Sequence, residues 1–231
     1  MAFHYSPKIV TDGLVLYLDA ANTNSFLVGS NTWVDLSRNQ KNGSLSGATF
    51  SYLKGGAIVF DGIDDYVDVP NTISLLPSVG SGTIDFVYKL NATSSVSDFL
   101  NIWGFTNNIF QYENNVGLMR FVWRYDDLLY NGLSSGIVYG DFNIYHITCT
   151  YTSSIGSSTF KIYKNGVFLG NITYPKSLIS SNNSLRLGNP YTITGDSNNC
   201  TIFNFKIYNR ELSATEVFQN FKATKSRFDL D

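Results

Sequence analysis

Short segments in which apolar and polar residues alternate recur along the whole chain, and they constrain the fold more than any other feature. From Ile84 to Leu90, for example, apolar residues occupy every second position, while Asp85 and Lys89 lie on the opposite face. In a strand, successive side chains point to opposite faces of the sheet. About a dozen such segments, with turn residues roughly every 8–12 positions, predict an all-β fold, either a two-sheet sandwich or a jelly roll.

Two local signals are specific enough to predict the element they form. Asn165-Gly166, between alternating apolar positions, predicts a type I′ hairpin. Helical spacing occurs only near the end of the sequence, where Ser213 and Glu216 fit a capping box. The apolar face of this helix is predicted to carry Val217, Phe218, Phe221 and Phe228. We therefore predict one domain over residues 1–231, with a C-terminal helix over 213–228.

Composition excludes several classes of function. The net charge is −2 and only 15% of residues are charged, so the basic footprint of a nucleic-acid-binding protein is missing. No apolar run approaches the ~20 residues of a membrane span, and the first residues lack the basic and apolar regions of a secretion signal. Cys149 and Cys200 lie in strand-like runs and are expected to be buried thiols rather than a disulfide framework.

The run from Phe60 to Pro70 holds the densest group of acidic residues. Asp61, Asp64 and Asp65 lie at a turn between two predicted strands, with Asp68 in the second strand. Carboxylate oxygens are the ligands that Ca²⁺ prefers, so Asp61, Asp64 and Asp65 are the candidate calcium ligands. In the alternative interpretation, Asp61 and Asp64 accept hydrogen bonds from backbone N–H groups of the turn. Asp65 and Asp68 are then expected to be solvated.

A second candidate site is centred on the predicted strand Leu118–Tyr125. Its aromatic residues share one face and its arginines the other, and either face can be the one that points outward. Saccharides present an apolar face and hydroxyl groups, which exposed aromatic rings and polar side chains bind. The candidate saccharide-binding residues are Trp103, Arg120, Trp123, Arg124, Tyr125 and Asp126.

Five runs, in this order, resemble the laminin-G-like branch of the concanavalin A-like lectin/glucanase superfamily. The resemblance implies a jelly roll of two antiparallel sheets. It also supports the hypothesis of a calcium site, because many laminin-G-like domains bind one Ca²⁺ ion. The chain departs from the family at Phe203-Asn204-Phe205-Lys206, where acidic residues are usual. The five runs are Gly13–Ala20, Trp33–Ser37 with Asn42–Leu45, Ile58–Val67, Phe160–Gly166 and Ile207–Ser213.

More narrowly, the chain is similar to copies of this domain in virion proteins of tailed bacteriophages. The pieces that carry this likeness are Leu18-Asp19-Ala20 and the helix that ends with Arg227-Phe228. The likeness implies a protein made in the host cytoplasm and assembled into the virion, in the capsid or the tail. Its partners would then be other virion proteins and further copies of itself, with glycans as external ligands.

An enzyme is the least favoured class. Because glucanases share this architecture, a glycoside hydrolase is the first enzyme to consider. It needs two carboxylic side chains about 5–5.5 Å apart for retention, or about 6.5–9.5 Å apart for inversion. The three glutamates, Glu113, Glu211 and Glu216, do not form the family's catalytic pattern. His146 lies mid-strand between apolar residues and is expected to be structural, and no nucleophile elbow is present.

We therefore expect a non-enzymatic virion structural or decoration protein with a lectin-like fold that can attach to glycans. The second hypothesis is a carbohydrate-binding module for host or surface glycans. A glycoside hydrolase is third.

Overall fold

A computed structural model describes most of the chain. The described residues are 7–70, 79–91, 98–103, 108–115, 118–124, 130–138, 140–178, 185–188 and 199–230. They form sixteen strands, one short 3₁₀ turn at Leu53–Gly55 and one helix, α1, at Ala214–Phe228. The strands are β1 Leu14–Asp19, β2 Thr32–Trp33, β3 Gly43–Ser46, β4 Thr49–Ser51, β5 Ala57–Asp61, β6 Tyr66–Val69, β7 Gly80–Leu90, β8 Asp98–Trp103, β9 Asn108–Asn115, β10 Leu118–Arg124, β11 Tyr130–Val138, β12 Ile144–Ser154, β13 Ser157–Lys164, β14 Val167–Tyr174, β15 Leu185–Gly188 and β16 Asn199–Tyr208.

The strands pair into two sheets of eight, and every pairing is antiparallel. The first sheet has the order β14-β13-β12-β7-β16-β5-β4, and β1 also pairs with β16. The second sheet has the order β11-β10-β9-β8-β15-β6-β3-β2. The all-β sandwich with a C-terminal helix is thus confirmed.

The main core lies between the two sheets. Phe86 of the first sheet packs against Phe121 of the second sheet, with ring centroids 6.1 Å apart, and against Phe205 at 6.0 Å. Cys149 and Cys200 are buried in this core as free thiols, as expected. Burial raises the pKa of both thiols, so both stay protonated and unreactive near neutral pH.

The predicted hairpin and helix start are both confirmed by backbone geometry. Asn165 and Gly166 both have positive φ, 50° and 74°, as a type I′ turn requires. Ser213 caps α1 by accepting a hydrogen bond from the backbone N–H of Glu216, whose carboxylate accepts from the N–H of Ser213 in return. Among the described residues, no helix is long and apolar enough to cross a membrane.

The buried face of α1 is narrower than the sequence predicted. Val217, Phe221 and Phe228 are buried against the outer face of the first sheet, but Phe218 is 43% exposed. Successive helical residues are ~100° apart, so the side chain that follows Val217 reaches the margin of the contact. The prediction for Phe218 is therefore wrong.

The face of β7 opposite its apolar residues carries a buried carboxylate. Asp85 is fully buried between the first sheet and α1. Its Oδ1 accepts from Lys206 Nζ at 2.6 Å, and its Oδ2 lies 2.9 Å from His146 Nε2. Thr148 Oγ1 at 3.0 Å and Asn220 Nδ2 of α1 at 3.3 Å complete the set. His146 is structural, as expected, and the unusual lysine of β16 neutralises Asp85.

The charge state of Asp85 follows from this arrangement. Burial alone would raise the pKa of the Asp85 carboxyl, but His146 and Lys206 outweigh that effect and hold the pKa well below its usual value. A group whose pKa is lowered by folding stabilises the protein above its unfolded pKa. The contribution is therefore fully present near neutral pH and is lost only as the pH falls far below ~4.

Asp85→Ala is expected to cost about 3–5 kcal/mol of unfolding free energy, because it leaves the Lys206 charge buried without its partner. Urea unfolding followed by circular dichroism measures this loss. The control is Asp12→Ala, which removes a carboxylate that is 86% exposed in its ion pair with Arg210 and should cost less than about 1 kcal/mol. Equal losses for the two variants would contradict the role assigned to Asp85.

Candidate functional site

The acidic corner, which we define as Asp61–Asp68, begins with a turn that only glycine can form. Gly62 has φ of +81°, and a Cβ on it would lie 2.9 Å from Asn199 Cβ. A side chain at this position would meet both a strained backbone and a neighbouring strand. The predicted Asp-Gly turn is confirmed, and its position is fixed by the start of β16.

Within the acidic corner, Asp61 behaves as the alternative interpretation predicts and Asp65 does not. Asp61 Oδ1 accepts from the Ile63 N–H at 2.8 Å. Asp65, expected to be solvated, is 7% exposed, and its Oδ2 accepts from the Asp61 N–H at 2.9 Å. Its Oδ1 fills the space that a Cβ on Gly47 would need. Asp65 thus points inward and supplies the acceptor for a backbone N–H group of the turn.

Two further expectations for the acidic corner are wrong. Asp68 is not solvated, because Arg186 of β15 binds it with two hydrogen bonds, Nε–Oδ1 at 2.8 Å and Nη2–Oδ2 at 3.0 Å. The same guanidinium lies 3.8 Å from the ring centroid of Tyr66. Asp64 is exposed, and no backbone N–H of the described residues donates to it. Asp64 is thus the carboxylate least committed to the fold.

The candidate calcium ligands do lie together. One carboxylate oxygen from each of Asp61, Asp64 and Asp65 falls within 4.8 Å of the others. Burial raises the pKa of Asp65, and the negative charges of Asp61 and Asp64 add to the rise. A cation would relieve this repulsion. Ca²⁺ takes six to eight oxygen ligands, so the three aspartates fit as part of its shell, and backbone carbonyls or water would have to supply the rest.

The candidate saccharide residues of β8 and β10 are only partly described. Trp103 pairs with Asn108 at the end of β8, and Trp123 pairs with Phe110 and Asn131. The side chains of Trp103, Trp123 and Arg124, and all of Tyr125 and Asp126, lie outside the described residues.

The orientation of β10 is nevertheless clear at its middle. Met119 and Phe121 are fully buried in the core, whereas Arg120 points to the outer face and is half-buried. Its Cδ passes 2.9 Å from where a Cβ on Gly132 would lie, so its aliphatic part packs on the neighbouring strand. At these positions the arginine face is therefore outward, and the face predicted to carry the aromatic residues points inward.

A groove that the sequence did not predict lies beside the loop after β2. We call it the Arg38 groove, and its volume is about 700 Å³. The residues that line it include Thr11, Asp12, Ser37, Arg38, Asn39 and Asn209.

One buried carboxylate shapes the loop beside the Arg38 groove. Asp35 Oδ1 accepts from the N–H groups of Tyr17 and Ser37, both at 2.8 Å. Its Oδ2 accepts from Ser37 Oγ at 2.7 Å and from the Lys41 N–H at 3.0 Å. The loop after β2 is thus held against β1, which fixes the positions of its hydrogen-bonded groups.

A second groove, the Phe142 groove, lies at the C-terminal end of α1 and has a volume of about 440 Å³. Lys89, Asn143, Tyr145, Asn165 and Leu230 line it with Phe142. The sequence analysis missed it because four distant segments contribute. The one local signal is Phe142 itself, an aromatic residue that directly follows the turn residues Gly140 and Asp141.

The solved structures similar to this one include binding domains and an enzyme. The binding domain of Paraclostridial Mosquitocidal Protein 1 has a TM-score of 0.69 at 16% identity, and covers 90% of this chain and 52% of its own. The botulinum neurotoxin serotype D binding domain has a TM-score of 0.68 at 14% identity, with 92% and 52% covered. A mutant Trypanosoma rangeli sialidase with trans-sialidase activity has a TM-score of 0.70 at 15% identity, with 96% and 35% covered.

These identities show the fold alone, and the chain spans about half, or about a third, of the length of these structures. No curated protein matches the sequence. A laminin G family, described as the concanavalin A-like lectin/glucanases superfamily, matches residues 61–218. That range includes the acidic corner, both buried cysteines and the start of α1. The chain therefore belongs to the concanavalin A-like lectin/glucanase superfamily.

Proposed function

We propose that this chain is a non-enzymatic domain that binds saccharides. The observation that carries the proposal is a lectin-type sandwich with two grooves among its described residues. Amide and hydroxyl side chains line both grooves, and aromatic side chains also line the Phe142 groove. Saccharides offer hydroxyl groups and an apolar ring face, which such side chains complement. Only 15% of the residues are charged, so uncharged polar groups dominate the surface available for recognition.

The names of two of the three similar structures support a binding role, and the third is an enzyme. The two toxin structures are both binding domains by name. This chain spans about half of each, so the activities and receptors of the whole toxins are not transferred to it.

The contacts of the glutamates support the proposal that the chain does not hydrolyse saccharides. Glu211 binds Lys161 at 2.7 Å and accepts from Thr150 Oγ1 at 3.3 Å. Glu216 is occupied by the cap of α1 and by Arg210. Two of the three glutamates thus hold the fold together, and the side chain of the third, Glu113, lies outside the described residues.

A role in a virus particle is the second part of the proposal. The two pieces on which the phage likeness depends meet in space, because Arg227 Nη1 binds Asp19 Oδ1 at 2.8 Å. Arg227 also donates to the carbonyls of Lys54 and Gly56, and Phe228 packs on Phe203 with ring centroids 4.9 Å apart. These contacts thus hold the end of α1 against the first sheet. The support for the virion role is the likeness itself, and the partners remain other virion proteins and further copies of this chain.

On a glycan array, the fluorescently labelled protein is expected to bind a defined subset of saccharides, since clustered display amplifies weak single-site affinity. Ile155→Ser, which removes an apolar side chain that is 92% exposed, is the control for non-specific adhesion and should give the same pattern. Mass spectrometry of the bound glycans after incubation should show no cleavage. Released sugar would overturn the non-enzymatic part of the proposal, and no binding to any glycan would overturn the saccharide part.

Ca²⁺ is expected to raise the melting temperature, because an ion that binds only the folded state at ten times its Kd adds about 1.4 kcal/mol of stability. Excess chelator should reverse the rise. Asp64→Ala should abolish it without destabilising the protein, whereas Asp12→Ala, outside the acidic corner, should leave it unchanged. If 5 mM Ca²⁺ left the melting temperature of the unaltered protein unchanged, the acidic corner would be a structural turn only.

The virion role predicts that the protein occurs at a fixed copy number in purified particles. Quantitative mass spectrometry of gradient-purified particles measures that number against the major capsid protein. Its absence from the particles, with abundance in the lysate of the same cells, would exclude the virion role without affecting saccharide binding.

A further inference from the structure

The Phe142 groove combines segments that are far apart in sequence. Lys89 lies next to the last residue of β7, Asn143 directly precedes β12, and Tyr145 is at the start of β12. Asn165 is in the β13–β14 turn, and Leu230 follows α1. The volume of about 440 Å³ falls within the range of small-ligand sites, about 300–1,000 Å³.

Phe142 gives the groove an apolar platform. It is 45% exposed, although burying a phenylalanine side chain usually contributes about 1.5–3 kcal/mol to stability. The neighbouring residues on both sides, Asp141 and Asn143, make polar contacts that fix this part of the chain. An aromatic ring held at the surface in this way can pack against the C–H face of a pyranose ring.

The polar groups around Phe142 are oriented by hydrogen bonds within the protein. Asp141 accepts from Tyr145 Oη at 2.6 Å and from Asn143 Nδ2 at 2.7 Å, which leaves Asn143 Oδ1 as an acceptor. Asn165 Oδ1 accepts from the His146 N–H at 3.1 Å. Asn165 Nδ2 has no partner among the described residues. The groove therefore offers one amide acceptor and one amide donor, and a hydroxyl group of a sugar can pair with either.

The charges around the groove nearly balance. The carboxylate of Asp229, at the rim, pairs with Lys54. Asp141 is ionised, because hydrogen bonds from Tyr145 and Asn143 outweigh burial and lower its pKa. Lys89 and Lys164 offset it nearby. No cluster of cations that would favour a sialylated or sulfated sugar faces the groove in the part of the chain described.

From this arrangement we infer that the Phe142 groove binds a neutral pyranose, with the sugar ring on Phe142 and its hydroxyl groups on Asn143 Oδ1 and Asn165 Nδ2. The inference rests on the proposed saccharide-binding function and names the site and the sugar class. The Arg38 groove is the competing site, since it is larger and is lined by the cationic side chain of Arg38.

The test uses the full chain and the neutral oligosaccharide that gives the strongest signal on an array of neutral, sialylated and sulfated glycans. Calorimetric titration with that oligosaccharide compares the unaltered protein with Phe142→Ala and Asn165→Asp. The second variant keeps the Oδ1 acceptor and the positive-φ backbone but loses the Nδ2 donor. Each variant is expected to lose about tenfold in affinity, which corresponds to about 1.4 kcal/mol.

Two controls separate this inference from the proposal on which it rests. Phe168→Ala removes an aromatic ring that is 50% exposed outside the groove, and Arg38→Ala alters the competing groove. Both should bind within twofold of the unaltered protein. Phe142→Leu, which keeps the apolar volume without the ring, substitutes for Phe142→Ala if circular dichroism shows that the alanine variant is unfolded.

Three results would overturn the inference. Unchanged affinity in both Phe142→Leu and Asn165→Asp would exclude this groove, and a loss in Arg38→Ala would then place the sugar in the Arg38 groove with the proposed function intact. Binding to sialylated or sulfated glycans alone would exclude the neutral class. No glycan binding by the unaltered protein would remove both the inference and the proposed function.

Discussion

Much of the outer layer, in which α1 packs on the first sheet, depends on the hydrogen bonds and the ion pair of the buried Asp85 carboxylate. A buried negative charge is stable only with cations and hydrogen-bond donors around it, and here β12, β16 and α1 each supply them. Any shift of α1 along the first sheet would leave donors or the carboxylate unsatisfied. The end of α1 in turn forms one wall of the Phe142 groove, so the position of that groove is coupled to a charge buried beneath the helix.

The sequence was sufficient for the fold class because alternation, turn residues and capping are local signals. The Asn165-Gly166 turn and the Ser213 cap were predicted from two to four residues each. The environment of Asp85 could not be predicted in this way. Alternation shows that two residues lie on opposite faces, but it does not show what covers each face. Lys206 is separated from Asp85 by 121 positions, so its departure from the family's usual acidic residues gave no sign of a salt bridge.

The same limit applies to the candidate sites. Asp61, Asp64 and Asp65 of the acidic corner were predicted to lie together because they share one turn, and they do. That Asp65 is needed by the turn, and that Asp68 is held by Arg186, depends on β3 and β15, which approach only in the folded sandwich. The two grooves were the least predictable from the sequence. Each gathers residues from several loops, and only the order of strands in the sheet brings those loops together.

β16 follows the other fifteen strands in sequence, and this order has a consequence for how the first sheet forms. On one side β16 pairs with β7, and on the other with β5 and then β1, so that Leu18 lies opposite Phe205. During translation, β1, β5 and β7 emerge long before the strand that joins them, and their edges stay open to other nascent chains. The first sheet therefore cannot be completed before β16 has been synthesised, and crowding of ribosomes on one message would expose many such edges to one another at once.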